Sequence, residues 1–176
     1  TVFDEFAYGP RAKKLTEETI KRQVNEALEA MGLTELQKEY PRLLSFGQKR
    51  RLGVAAALAL NPRTLILDEI TNGQDALEKE GMMSYLQAIN EDRGITIMLI
   101  SHDMDIVRRY AKRAIVLHYG KKVFDGTPRE LFDGSQPVER WGLRRPTVAS
   151  LASMVGIDAA TPAEFCAKVT AKEVER

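Results

Sequence analysis

The chain has one cysteine, Cys166, which excludes an internal disulfide and a cysteine-based zinc site and suits a reducing compartment. Long apolar runs are missing as well. The longest, GVAAALAL (Gly53–Leu60) and ITIMLI (Ile95–Ile100), fall far short of the roughly 20 residues that cross a bilayer. Neither sign of charge dominates. With 26 Lys and Arg against 25 Asp and Glu, the net charge of +1 gives no global electrostatic argument for nucleic acid or an acidic partner. The opening TVFDEF carries no basic n-region, so no signal peptide is expected and the protein is expected in the cytoplasm. Internal repeats and low-complexity tracts are absent. One further absence matters most. No G-x-x-x-x-G-K-[ST] loop, the glycine-rich cradle whose amides hold nucleotide phosphates, occurs anywhere in the sequence.

What is present fits a globular domain. Hydrophobic residues make up 44% and charged residues 29% of the 176 positions, enough for one core and a small appendage. Ile20, Val24, Ala27, Leu28 and Met31 recur at helical spacing after Thr16, with Glu17 and Glu18 in the first turn and Gly32 as the stop. A short helix is expected near Thr34–Glu39, before a break at Pro41. Ser45 and Gln48 stand at capping-box spacing, so Ser45 is expected to cap a helix that runs to Asn61-Pro62. The apolar runs Thr64–Leu67 and Ile95–Ile100 suit strands of a parallel sheet. Asp75–Asp92 between them then forms the crossover helix of a βαβ unit. A helix over Met104–Tyr110 precedes a hairpin, Ala114–His118 and Lys121–Phe124 around Tyr119-Gly120. Thr127, Pro128 and Glu130 supply the N-cap, first-turn proline and third-position acid of another helix. Asp133–Pro146 has the texture of a linker, and two short helices follow, Thr147–Val155 and Thr161–Val174.

Three segments carry candidate chemistry. In LILDEIT an apolar strand ends in adjacent carboxylates, Asp68 and Glu69. Successive strand side chains face opposite ways, so one acid can serve a metal and the other a different target. Phosphoryl transfer uses both functions, a carboxylate for Mg2+ and another that positions the attacking water. In LSFGQ a glycine-containing loop runs into a helix N-terminus, where free amides and the helix dipole favour an anion. Ser45 adds a hydroxyl there, and Gly47 permits close backbone approach. In SHD, His102 follows the strand ITIMLI, at the sheet edge where ligands of open α/β sheets bind. A neutral imidazole at that edge can hydrogen-bond a phosphate oxygen or a water. Each segment alone also has a plain structural reading: a strand-end turn, a capped helix, a packed histidine. Arg50 and Arg51, in the basic triplet after Gln48, equally suit a solvated helix face, and His118 suits a packed strand.

In this order, on these elements, the segments together resemble ABC ATPases. LSFGQ is similar to the family's LSGGQ signature, LILDE to its Walker B strand with the catalytic glutamate, TNGQD to its D-loop and SHD to its switch histidine. The resemblance covers about Thr1–Leu131. Within the family, TVFDEFAYGP resembles the V-x-D-E-V-A-F-G-P stretch of energy-coupling-factor (ECF) transporter ATPases, and Gln74 and LRRPTVASLASMVGI also look like that group. The resemblance implies an α/β fold, the C-terminal portion of a P-loop NTPase-like ABC ATPase. Its parts would be a helical subdomain at about 10–60, a Walker B and switch-histidine core at about 61–132, and a linker with a small helical extension at 133–176. ATP and Mg2+ are the implied cofactors, with Asp68 at the metal, Glu69 and His102 catalytic, and Ser45, Gly47, Gln48 and Asp75 binding nucleotide. The implied partners are a second ABC ATPase subunit, in a homo- or heterodimer, and an integral-membrane coupling subunit at the cytoplasmic face of the cell membrane, with no nucleic acid. Two departures stand out. Phe46 replaces the signature's first glycine, and Ile70 replaces the proline that usually follows the catalytic glutamate.

The expected function is therefore an ATP-hydrolysing subunit of an ECF-type importer of a metal ion or vitamin, inactive alone because the phosphate-binding loop is absent. The alternative is a non-catalytic structural or regulatory partner that lends its signature face to an intact ATPase. A soluble ABC protein of translation or DNA repair would carry a second cassette, zinc-binding cysteines or long coiled-coil insertions, and the sequence has none of these. An isolated chain is expected to expose sheet edges and apolar surface, and so to be marginally stable or self-associating.

Overall fold

Thr1 and Asp4 form a reciprocal capping box, and a helix not expected from the sequence, α1 (Val2–Ala12), starts from it in the computed structural model, which describes residues 1–174. Pro10 in its last turn hides this helix from a pattern reading, but a proline so near the end forfeits only one helical hydrogen bond. The next helix, α2 (Glu17–Ala30), is capped by Thr16 and buries Ile20, Val24 and Leu28 along one stripe. Thr34–Leu36 closes a single 3-10 turn in place of the longer helix expected. Then α3 (Phe46–Leu58) starts at the Ser45 capping box and stops short of the expected Asn61. The residue before a proline is kept out of the helical region, and Asn61, ahead of Pro62, takes a φ of 48°. Helix α1 packs on both α2 and α3.

Strands β1 (Thr64–Asp68) and β2 (Thr96–Ile100) pair in parallel from Thr64↔Thr96 to Asp68↔Ile100. The crossover helix α4 (Ala76–Arg93) joins them, capped by Asp75 and ended by Gly94 in the left-handed conformation. Leu65 and Leu67 are buried on one face of β1. On the other face Ile66 is 61% exposed, and Met98 and Ile100 of β2 are each 50% exposed. These elements make up the first of two packing units, Thr1–Ile100.

The second unit begins at Ser101. Asp103 caps α5 (Met104–Tyr110), and an antiparallel hairpin follows, β3 (Ala114–His118) with β4 (Lys121–Gly126). Thr127 and Glu130 form the capping box of α6 (Pro128–Phe132). Met104, Ala114, Val116, Leu131, Phe132 and Val138 form the core of this unit, with Phe124 and Trp141 packed against it. The stretch expected as a linker contains a 3-10 turn, Val138–Trp141, in which Val138 is fully buried. Two helices close the chain, α7 (Thr147–Met154) and α8 (Pro162–Val174). Between them Asp158 pairs with Arg108 of α5 at 2.5 Å and with Arg129 of α6 at 3.3 Å, while its carbonyl accepts from Lys168 of α8 at 2.7 Å. No helix among the described residues is long and apolar enough to cross a membrane.

Candidate functional site

Asp68 ends β1 and is exposed, and the neighbouring Glu69 is half-buried. Strand pleating alone does not separate the two acids. Glu69 leaves the extended region with a φ of 50°, so the turn sets the second acid. A left-handed non-glycine residue costs on the order of 1–3 kcal/mol and persists where its surroundings hold it. Here Glu69 N–H donates to the Ile100 carbonyl at 3.0 Å, which extends the parallel ladder by one residue. The Glu69 carbonyl accepts from Asn72 N–H at 3.3 Å and from the Arg50 guanidinium.

The N-terminus of α3 is built as the sequence predicts. Ser45 Oγ accepts from Gln48 N–H at 3.2 Å, and Gln48 Oε1 accepts from Ser45 N–H at 2.8 Å. The cap serves the third amide of the helix. The Phe46 and Gly47 amides have no acceptor within the helix, as first-turn amides never do. Gly47 is buried, and a β-carbon there would lie 3.0 Å from Glu78 Oε1. Phe46 is 59% exposed, with the Arg50 guanidinium carbon 4.5 Å from its ring centroid. A β-carbon on Gly73 would lie 3.4 Å from the same ring.

Residues 69–75 connect β1 to α4. Thr71 and Gln74 are buried within this loop, and neither carboxamide atom of Gln74 has a hydrogen-bond partner. Asp75 Oδ1 accepts from Glu78 N–H at 2.8 Å and so serves as a helix cap. The structure thus brings the start of α3, the 69–75 loop and the first turn of α4 together, through Arg50 to Glu69, Phe46 to Gly73 and Gly47 to Glu78. His102 lies in the second unit, exposed, one residue before the Asp103 cap.

The donor set fits a shared metal site. No group of three or more His, Cys, Asp or Glu that could hold a metal occurs among the described residues. Mg2+ commonly takes one or two carboxylates and completes its shell with phosphate oxygens and water, so Asp68 suits it as a single protein ligand. For a phosphate, the residues present are the α3 amides with the Ser45 hydroxyl. The sequence left Arg50 open between an anion contact and a solvated helix face, and it did not point to Glu78 at all. Arg50 stands four residues after Phe46, the spacing of a stacked helical pair, which was the available signal. Glu78 gave none.

The model of the ABC transporter family matches residues 1–72. The energy-coupling factor transporter ATP-binding protein EcfA of Methanococcus maripaludis is 38% identical over 155 residues, covering 88% of this chain and 55% of that protein. EcfA2 of Caldanaerobacter subterraneus is 40% identical over 153 residues, covering 86% of this chain and 54% of that protein. The chain therefore spans about half the length of these relatives. Among solved structures, cbiO1 from Clostridium perfringens, part of the ABC transporter complex cbiONQ, is similar with a TM-score of 0.70 and 34% identity. That similarity covers 86% of this chain and 60% of the other. Sequence and fold agree, and the chain belongs to the ABC transporter ATPase domains.

Proposed function

We propose that this chain is the signature and Walker B portion of an ATP-hydrolysing subunit that energises an ECF-type importer of a metal ion or vitamin. The observation that supports this reading best is the meeting of the α3 N-terminus with the Glu69–Asp75 loop, the two segments that resemble the signature and the D-loop. Residues 1–132 serve as the partial ATPase domain, and 133–176 as its linker and helical extension. When bound, ATP supplies the phosphoryl group, and Mg2+ neutralises its charge. Asp68 would hold the metal, Glu69 orients the attacking water and takes its proton, and His102 donates to or accepts from the terminal phosphate or that water. Ser45, Gly47 and Gln48 face the nucleotide of a second ATPase subunit, and Asp75 fixes the turn that carries the loop there. The assembly sits at the cytoplasmic face of the membrane, beneath an integral-membrane coupling subunit. Without a phosphate-binding loop the isolated chain hydrolyses no ATP.

Calorimetry tests this directly. The isolated chain titrated with ATP or ADP in Mg2+ should release no binding heat, and micromolar binding would mean that another surface replaces the missing loop. In an assembly that supplies that loop, Glu69→Gln should lower turnover by roughly 10²–10⁴-fold, the usual contribution of a general base, with ATP binding retained. Unchanged turnover would favour a non-catalytic partner that only lends its signature face.

A further inference from the structure

We infer that Arg50 is a positioning residue for Glu69, gripping the loop that carries the glutamate and joining it to the start of α3. The inference rests on the catalytic reading of Glu69 given above. Glu69 is one of four non-glycine residues with positive φ among the described residues, and a residue in that conformation needs its surroundings to keep it there. Arg50 reaches across from α3, half-buried, and donates to the Glu69 carbonyl. A guanidinium suits this task because it can donate in its plane while lying flat on an aromatic face. Phe46, one helical turn earlier, supplies that face, 4.5 Å from the guanidinium carbon.

The Phe46 ring does a second thing. It abuts Gly73, near the far end of the same loop, where φ is +72° and a β-carbon would lie 3.4 Å from the ring. The Phe46–Arg50 pair therefore bonds the loop at the Glu69 carbonyl and lies close to it at Gly73. The aromatic departure from the LSGGQ pattern and the arginine four residues later form one device. Its consequence concerns two sites at once. Ser45 and Gly47 meet the nucleotide held by the partner subunit, whereas Glu69 acts on the nucleotide at its own site. With Arg50 in place, the start of α3 and the Glu69 turn move as one piece, so occupancy of one site is passed to the glutamate of the other.

Two measurements test the inference, and they fail separately. In the 176-residue chain, hydrogen exchange of the Asn72 and Gln74 amides, which donate to the Glu69 and Thr71 carbonyls, should quicken about tenfold in Arg50→Gln, the scale of one lost hydrogen bond. The Arg50→Lys variant should fall between, and α2 amides should not change. Equal exchange in all three proteins overturns the link, whatever the function. In an ATPase assembly that supplies the phosphate-binding loop, Arg50→Gln should lower kcat by roughly tenfold with KM for ATP unchanged. Arg50→Lys should restore part of it, and adding Phe46→Gly to Arg50→Gln should cost little more. A raised KM with unchanged kcat, or fully additive losses, overturns positioning. A wild-type assembly that turns over no ATP removes the catalytic reading and the positioning role with it, while the exchange result still decides the link.

Discussion

The Glu78 carboxylate, in the first turn of α4, comes within 3.0 Å of the point where a β-carbon on Gly47 would sit. A methyl group there must displace a flexible carboxylate rather than backbone, so the fold should tolerate it. Alanine also favours a helix over glycine by up to about 1 kcal/mol. Gly47→Ala should therefore shift the melting temperature by only a few degrees, while crowding the amide that we propose meets a phosphate and so lowering turnover in the assembly. Adding Glu78→Ala should return part of that turnover. A collapsed melt in the single variant would show that the packing around Gly47 cannot give.

The capping box of α3 is a stability element as well as a candidate binding one. Ser45→Ala removes the acceptor of Gln48 N–H and should cost roughly 1 kcal/mol in urea unfolding. Gln48→Ala leaves the serine cap intact and should cost less. Equal and negligible losses would mean that α3 is held by its packing alone.

Ile66, Met98 and Ile100 line a sheet face that is 50% or more exposed at each residue, whereas parallel strands are ordinarily covered on both faces. The isolated chain should bind an apolar dye or associate as its concentration rises, and Ile66→Thr with Met98→Thr should weaken both effects. Light scattering and dye fluorescence check this. A monomeric chain with a sharp melt and no dye binding would contradict it.

In the second unit, Arg113 holds Asp125 through two bonds of 2.8 and 3.0 Å, and Lys122 adds a third at 2.8 Å. The hydrogen bonds from Arg113 and then Lys122 keep the Asp125 carboxyl well below the usual carboxylate range. A carboxyl depressed on folding stabilises the fold above its unfolded value of 3.8, and that stabilisation fades as pH falls toward the lower folded value. Arg113→Ala should raise the Asp125 titration midpoint toward 3.8 and leave stability at neutral pH nearly unchanged, because the pair is exposed. Carboxyl NMR titration and acid unfolding below about pH 4 provide the readouts.

Local signals predicted most of these elements. The Ser45–Gln48 and Thr127–Glu130 boxes and the two apolar strands each fix their conformation within a few residues, and the structure has them all. Helix α1 escaped because Pro10 argues against a helix over a short window, while Val2, Phe6 and Ala7 gain their place only by burial against partners distant in sequence. The 133–146 stretch escaped for a related reason. Its turn residues are conspicuous, and the burial of Val138 that anchors it is not. At the site, the acids and the signature segment were legible as residue types. The left-handed turn at Glu69 was not, because its supports are a backbone carbonyl on β2 and an arginine nineteen residues away.

Asp158 gives the end of the chain a limit on how it can be cut. Basic side chains from three helices meet at this one residue, and that of Arg108 is only 12% exposed. Ending the chain ahead of position 158 would strand a nearly enclosed cation, a far heavier penalty than losing an exposed pair. A graft, fusion or splice that keeps α5 and the β3–β4 hairpin should therefore carry the chain through Asp158 as well, so that Arg108 keeps its counter-charge.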